Sequence, residues 1–355
     1  METRLQHQRD IVFGLTYLRS LTAAEAITLA MEAEDLRDAA ERLGMSALLT
    51  DDILADMERQ HERVAALQAR ITTWFDDDYP QRLRQMHAPP AVLFVHGTLP
   101  PESLPHIAVV GTRSCSVQYG MPVTRTLVRD WTDRSCVIVS GLAAGIDTVA
   151  HEEAVRNGGQ TIAVVASGLD RITPTDARRL ADRIIDGHGC VMTEYRCGQG
   201  AMPQNFPARN RIICGMSDAV VVTESKAKGG ALITAAFAVR DGRPLYAVPG
   251  PITSTRSAGT NALLRTTAAR VLTSSQDLVE DLGWSTHQRS PETLELDLDP
   301  SERQVYDVLG DDTLHADEIA VACGRPAHDV LADLLSLELR RVVTTRPGSR
   351  WCRLS

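Results

Sequence analysis

Between residues 107 and 250 the chain repeats one pattern: a short run of valine, isoleucine and alanine, then a segment of helix length. The runs are IAVVG (107–111), CVIVSG (136–141), TIAVVAS (161–167), CVMTEY (190–195), DAVVVTE (218–224) and PLYAVPG (244–250). A run that is apolar at every position marks a strand covered on both faces, and strands alternating with helices imply parallel crossovers. The expected fold is therefore α/β: an extended Rossmann-like, doubly wound and mostly parallel sheet. Such sheets bind ligands beyond the carboxyl ends of their strands. The loops to inspect open at Gly111, Ser140, Ser167, Tyr195, Glu224 and Pro249.

Other patterns flank this core. Apolar residues recur at helical spacing through LTAAEAITLAMEAEDLRDAAERLG and ILADMERQHERVAALQARI, so residues 1–75 read as a small helical domain of SAM or helix-hairpin type. A proline-rich passage with one strand, AVLFVHG, leads into the sheet domain, taken as 76–285. Residues 286–299 read as a linker. Three helix-like segments and VVTTRPGSRWCRLS, with its Pro-Gly turn, make a winged helix of 300–355.

The net charge of −9 is unevenly spread. Residues 1–80 carry 8 Arg against 16 Asp and Glu, residues 81–286 carry 21 Lys and Arg against 17 acids, and residues 287–355 carry 8 against 13. Only the middle has a basic surplus, so an anionic partner should dock there. Both lysines of the chain, Lys226 and Lys228, sit in one loop of that middle. The polar start METRLQHQRD and the absence of a long apolar run point to a cytoplasmic protein without a membrane partner. Seven scattered cysteines with no C-x-x-C pair suit reduced core thiols and predict no metal site.

The strand-end loops are rich in cations. GTRSCSVQYG offers Thr112, Arg113 and Ser114 as a phosphate clamp at a helix start, or Arg113 as a bridge from loop to sheet. SGLAAGIDTVAHEEAV has Gly141 and Gly145 for close packing, and a structural or solvated His151. Arg171, Arg178 and Arg179 follow the third run as a solvated face or a track along an extended backbone. In NFPARNRIICG, Arg209 and Arg211 flank Asn210 at a helix start; they oppose the helix dipole and call for an anion, or for an acid such as Glu194. ESKAKGGALITAAFAV places Lys226, Lys228, Gly229 and Gly230 before a helix, where bare amides and ammonium groups combine. These loops show no nucleophile–base order, no paired carboxylates and no metal-ligand spacing, which predicts anion binding without catalysis and without a cofactor.

Taken together, VVGTRSCSVQYG, SGLAAGIDTVAHEEAV, FPARNRIICGMSDAVVVTE, GGALITAAFAVRDGR and YAVPGPITSTRSAGTNALL resemble the DNA-processing protein A family (DprA, also called Smf) across roughly 75–285. The resemblance implies a homodimer, paired through the Rossmann-like domain, that binds and protects single-stranded DNA. It implies loading of a RecA-type recombinase during natural transformation. The family's DNA-contact positions fall on Arg113, Arg178, Arg209, Arg211 and Lys228. Where the family has Tyr-Pro and a nearby Asn, this chain has Thr173-Pro174 and Ala177; its Ser-Gly-Ser is Gly229-Gly230-Ala231, which leaves backbone amides without two hydroxyls. Two alternatives stay open: a phosphoribohydrolase-like enzyme, and a protein-binding adaptor with a vestigial groove. The third tail helix carries Asp329, Asp333 and Glu338, which suits a protein partner better than DNA, with Arg346, Arg350 and Arg353 of the wing as the only cations placed to help.

Overall fold

A computed structural model describes residues 2–18, 21–172, 174–284, 298–309, 313–340, 342–346 and 350–353. Thr173, most of the expected linker and the Pro347-Gly348 turn lie outside the described residues. The chain forms two compact units, Met1–Arg289 and Ser290–Ser355.

Four helices open the first unit: α1 (Glu2–Leu15), α2 (Ala23–Glu32), α3 (Leu36–Arg42) and α4 (Asp51–Ala66). Thr22 and Glu25 close a capping box that starts α2. Strand β1 (Ala69–Thr73) follows, which corrects the reading of 1–75 as entirely helical. The helix stops because Gln68 takes φ +55°, and the β-branched Ile71, Thr72 and Thr73 then pair antiparallel with β2 (Val92–Gly97), Ile71 opposite Phe94. A short helix, α5 (Gln81–Arg84), lies between them.

From there strands and helices alternate: β3 (His106–Val110), α6 (Gly120–Thr132), β4 (Val137–Ser140), α7 (Ile146–Arg156), β5 (Thr161–Val164), α8 (Thr175–Asp186), β6 (Cys190–Thr193) and α9 (Asn205–Gly215). Then come β7 (Ala219–Val222), α10 (Ala231–Arg240), β8 (Leu245–Ala247), α11 (Ala258–Thr266), β9 (Arg270–Val271) and α12 (Ser275–Asp281). The nine-stranded sheet runs β1-β2-β6-β5-β4-β3-β7-β8-β9. Every pair from β6 to β9 is parallel, and β2 alone runs the other way, antiparallel to both β6 and β1.

The sheet is covered on both faces, as continuous apolar strands require. On one face α6 and α7 bury Trp131, Leu127 and Ile146 against Ile107, Val109 and Ile138. Further along that face α8 and the first helices pack Leu180, Ile184 and Phe13 against Ala163, Val191 and Phe94. Residues 1–66 thus share a core with the sheet. On the opposite face α9 and α10 set Ile212, Ile213 and Ala235 against Val110, Val139 and Val220.

Strand order reverses between β3 and β7. Chain progress from β3 runs outward to β4, β5 and β6, and from β7 it runs outward to β8 and β9. The helices after β3 and β7 leave to opposite faces, which opens a crevice between the two strand ends. The ladders are shorter than the apolar runs. Gly111, Gly141, Val165, Glu194, Thr223 and Val248 have already left their strands and belong to the rim.

The second unit is a winged helix. It comprises α13 (Pro300–Leu309), β10 (Leu314–His315), α14 (Ala316–Cys323), α15 (Ala327–Leu339), β11 (Val343–Arg346) and β12 (Arg350–Arg353). The strands pair antiparallel in the order β10-β12-β11. Val305, Leu309, Ile319, Val330, Leu334, Leu337 and Trp351 fill its core.

Candidate nucleic-acid interface

At the β3/β7 crevice lies a groove of about 580 Å³. One wall is Gly111, Thr112 and Arg113; the other is Lys226, Lys228, Gly229 and Gly230; the start of α9 adds Phe206, Pro207 and Asn210. A second hollow of about 250 Å³ adjoins it and shares Arg113, Phe206 and Arg209.

The Arg113 loop is held rigidly by backbone. The Thr112 amide donates to the Glu224 carbonyl at 2.7 Å, and Thr112 Oγ1 accepts from the Ser114 amide at 3.2 Å. Gly145, at φ +87°, lets α7 begin directly against this loop: a Cβ there would lie 2.3 Å from the Thr112 carbonyl oxygen. Arg113 itself is exposed, has no carboxylate partner among the described residues, and stacks 4.8 Å above the Phe206 ring. Among the described residues the Arg113 side chain makes no hydrogen bond to the sheet. Ser114 does not line the groove; its carbonyl accepts from Arg256 Nε at 2.8 Å.

Across the groove Lys226 and Lys228 are exposed and lack ion pairs among the described residues. Gly229 folds the loop tightly, donating to the Lys226 carbonyl at 3.0 Å, and a Cβ on it would meet Ser225 Oγ at 2.2 Å. Helix α10 then starts after Gly230 at the groove; its Leu232 and Ile233 amides donate to the Gly229 and Gly230 carbonyls at 3.1 Å each, and Ala231, ahead of them, lines the groove. Asn210 reaches across to the Gly230 carbonyl at 3.5 Å.

The two arginines of α9 part company. Arg209 lines the groove wall but is only 4% exposed. Its guanidinium donates to the carbonyls of Gly141 (2.6 Å) and Val164, and so ties the ends of β4 and β5 together. Burial pulls its pKa down to about 10. Arg211 points away, into an ion pair with Glu194, the acid that the sequence offered as its alternative partner. Both guanidinium groups are thus engaged with the protein itself, Arg209 within the groove wall and Arg211 outside it. A helix start fixes which rim a residue reaches, and the side of the helix decides what it meets there. Arg178 is exposed on the first turn of α8 and lines neither hollow.

Asp147 was missed. In the first turn of α7 it accepts from the amides of Gly111, Gly141 and Ala143, clamping the loops after β3 and β4. Burial raises its pKa to about 6 despite the nearby Arg209. Both groups crowd Gly141, where a Cβ would stand 2.7 Å from each. An acid at this helix position reads as an ordinary cap, so only its burial distinguishes it. Glu224 is occupied likewise: its carboxylate accepts from the amide and the hydroxyl of Ser116, at 2.8 Å each. His151 is buried, with Nδ1 2.7 Å from Thr161 Oγ1, and burial lowers its pKa to about 3. Among the described residues no group of three His, Cys, Asp or Glu side chains could hold a metal ion.

A doubly wound sheet whose switch-point crevice presents exposed cations and an aromatic ring, with its rim carboxylates turned inward, is of the Rossmann-like class. The family described as DNA recombination-mediator protein A matches residues 70–283, and the DprA winged helix domain matches 288–349. The chain belongs to the DNA recombination-mediator protein A family. It is 42% identical to the DNA processing protein DprA of Streptococcus pneumoniae over 206 residues, 58% of this chain and 72% of that one. With protein Smf of Escherichia coli it shares 34% over 277 residues, 76% of this chain and 74% of the relative. The crystal structure of the pneumococcal protein superposes with a TM-score of 0.61 at 33% identity, covering 79% of this chain and 96% of that one. A Helicobacter pylori DNA processing protein A structure, whose subject is a single-stranded DNA binding mode, matches with a TM-score of 0.54 at 28% identity, covering 62% and 98%.

Proposed function

We propose that this protein binds and protects single-stranded DNA along the β3/β7 groove without strong sequence preference. As a cytoplasmic homodimer joined through the α/β unit, it passes the strand to a RecA-type recombinase during transformation or recombination. The observation that carries this reading is the convergence of Arg113, Lys226 and Lys228 on one groove with no carboxylate neutralising them among the described residues. Cations and amides recognise the phosphodiester backbone that all sequences share, while Phe206 and the Arg113 plane accept any base by stacking.

The groove carries binding without chemistry. Asp147 is the sole acid of its lining, and its carboxylate is taken up by backbone amides. The alternative of a phosphoribohydrolase therefore lacks its catalytic acid; incubation with adenosine monophosphate should release no adenine.

Titration of single- and double-stranded oligonucleotides at two salt concentrations tests the reading. Three neutralised phosphates give a log–log salt slope of about −2 for the single strand. A flat salt response, or a preference for the duplex, would exclude the groove as its binding site.

A further inference from the structure

We propose that the outward face of α15 in the winged-helix unit docks a basic amphipathic helix of a partner protein. Helix α15 is apolar on two opposite sides. Val330, Leu334 and Leu337 are buried in the core of the unit. Their reverse side carries His328, Leu331, Ala332 and Leu335, spaced i, i+3, i+4 and i+7 and all exposed, with Leu331 at 40% and Leu335 at 53%. An apolar stripe along a surface helix is ordinarily turned toward something that covers it. At the head of this stripe a hollow of about 570 Å³ opens beside Val321, which is 83% exposed; Ala327, one turn before Leu331, lines it too.

Three occupants compete for such a face, and charge decides among them. In a winged helix the third helix is the one that enters a DNA groove. Here α15 holds no lysine or arginine, and Asp329 stands beside the stripe, so a phosphate backbone is repelled. Of the wing arginines, Arg346 has its side chain outside the described residues, while Arg350 pairs with Glu318 at 3.6 Å and Arg353 stacks on Tyr306 at 3.9 Å while donating to its carbonyl. A second copy of this chain would bring like charges together. Residues 290–355 carry 7 arginines against 13 acids, a net of −6; Asp317 and Asp329 at the margin each lie 3.4 Å from a histidine, and the nearby Arg325 is already paired with Asp333 at 2.7 Å. A partner helix with an apolar stripe and lysine or arginine flanks satisfies both the leucines and the acids.

The full-length protein is titrated with two fluorescein-labelled helices of about 14 residues, one Leu/Lys and one Leu/Glu, with the same apolar spacing. The lysine helix should bind at least about tenfold more tightly than the glutamate helix. The Leu331→Ser/Leu335→Ser variant should lose about tenfold of that affinity while its melting curve stays put, because both side chains lie outside the core. Asp329→Lys, a single change at the margin, should weaken the lysine helix and strengthen the glutamate one, and so keeps the test decisive if the double variant misfolds. Equal binding of the lysine helix to wild type and both variants overturns the proposal. So does a particle mass by light scattering that halves in the double variant, which assigns the face to a second copy. Loss of duplex DNA binding in that variant also overturns it, by assigning the face to DNA.

Discussion

Arg113 and Arg211 both follow strand ends on the same rim, and they illustrate opposite fates of a guanidinium. Arg113 leans on Phe206 and faces the groove; Arg211 is paired with Glu194. Their alanine variants should therefore separate two measurements. Arg113→Ala should reduce the magnitude of the single-strand salt slope by about 0.7 and leave thermal stability nearly unchanged. Arg211→Ala should leave the slope untouched and cost about 2–3 kcal/mol in urea unfolding, since it strands a largely buried carboxylate. A slope change in Arg211→Ala would restore that residue to the interface. Position along the chain told which rim each cation reaches, and Arg113, Lys226 and Lys228 do line the groove there. It could not tell which side of α9 each faces, and the structure sets Arg209 against the Gly141 carbonyl and Arg211 against Glu194.

At the scale of elements, the groove depends on the loop after β4. The loop after β4 supplies Gly141 and Gly145, and these let Asp147, Arg209 and the Thr112 carbonyl come within packing distance. Gly145→Ala combines a positive φ with a backbone clash. It should lower stability by about 2–3 kcal/mol and weaken single-stranded DNA binding along with it, as seen by urea unfolding and gel shift. Unchanged affinity in a folded Gly145→Ala protein would show that the Arg113 loop does not need this support. The Gly-x-x-x-Gly spacing was legible as close packing, but its partner was not. The clash is with a loop thirty residues upstream, and only the parallel β3–β4 pairing reveals it. Strand β1 was illegible for a local reason: helical periodicity ran on through ALQARI, and one left-handed glutamine cut it short.

For the molecule as a whole, the parallel order of the sheet was legible because continuous apolar strands admit few alternatives. The antiparallel edge and the shared core of residues 1–66 were not, since both arise from contacts between distant segments. Burial also sets a response to acid. His106 and His151 are buried and their pKa values fall to about 4 and about 3, below the ordinary value near 6.5 of an unfolded chain. The unfolded state then takes up protons first, so their contribution to stability is complete above about pH 6.5 and is lost as pH falls toward 4. Asp147, raised to about 6, acts in the opposite sense over an overlapping range. Urea midpoints at pH 7 and pH 5 should therefore diverge more for the wild type than for His151→Asn, which retains a donor toward Thr161; an equal drop would mean that His151 titrates normally.

The groove holds every lysine in the chain. Any acylating agent that seeks primary amines has, beyond the amino terminus, just two targets, and both form one wall of the site. Acetylation at Lys226 or Lys228 would abolish side-chain positive charge in this groove alone, so the mass of a peptide from this loop reports directly on the modification.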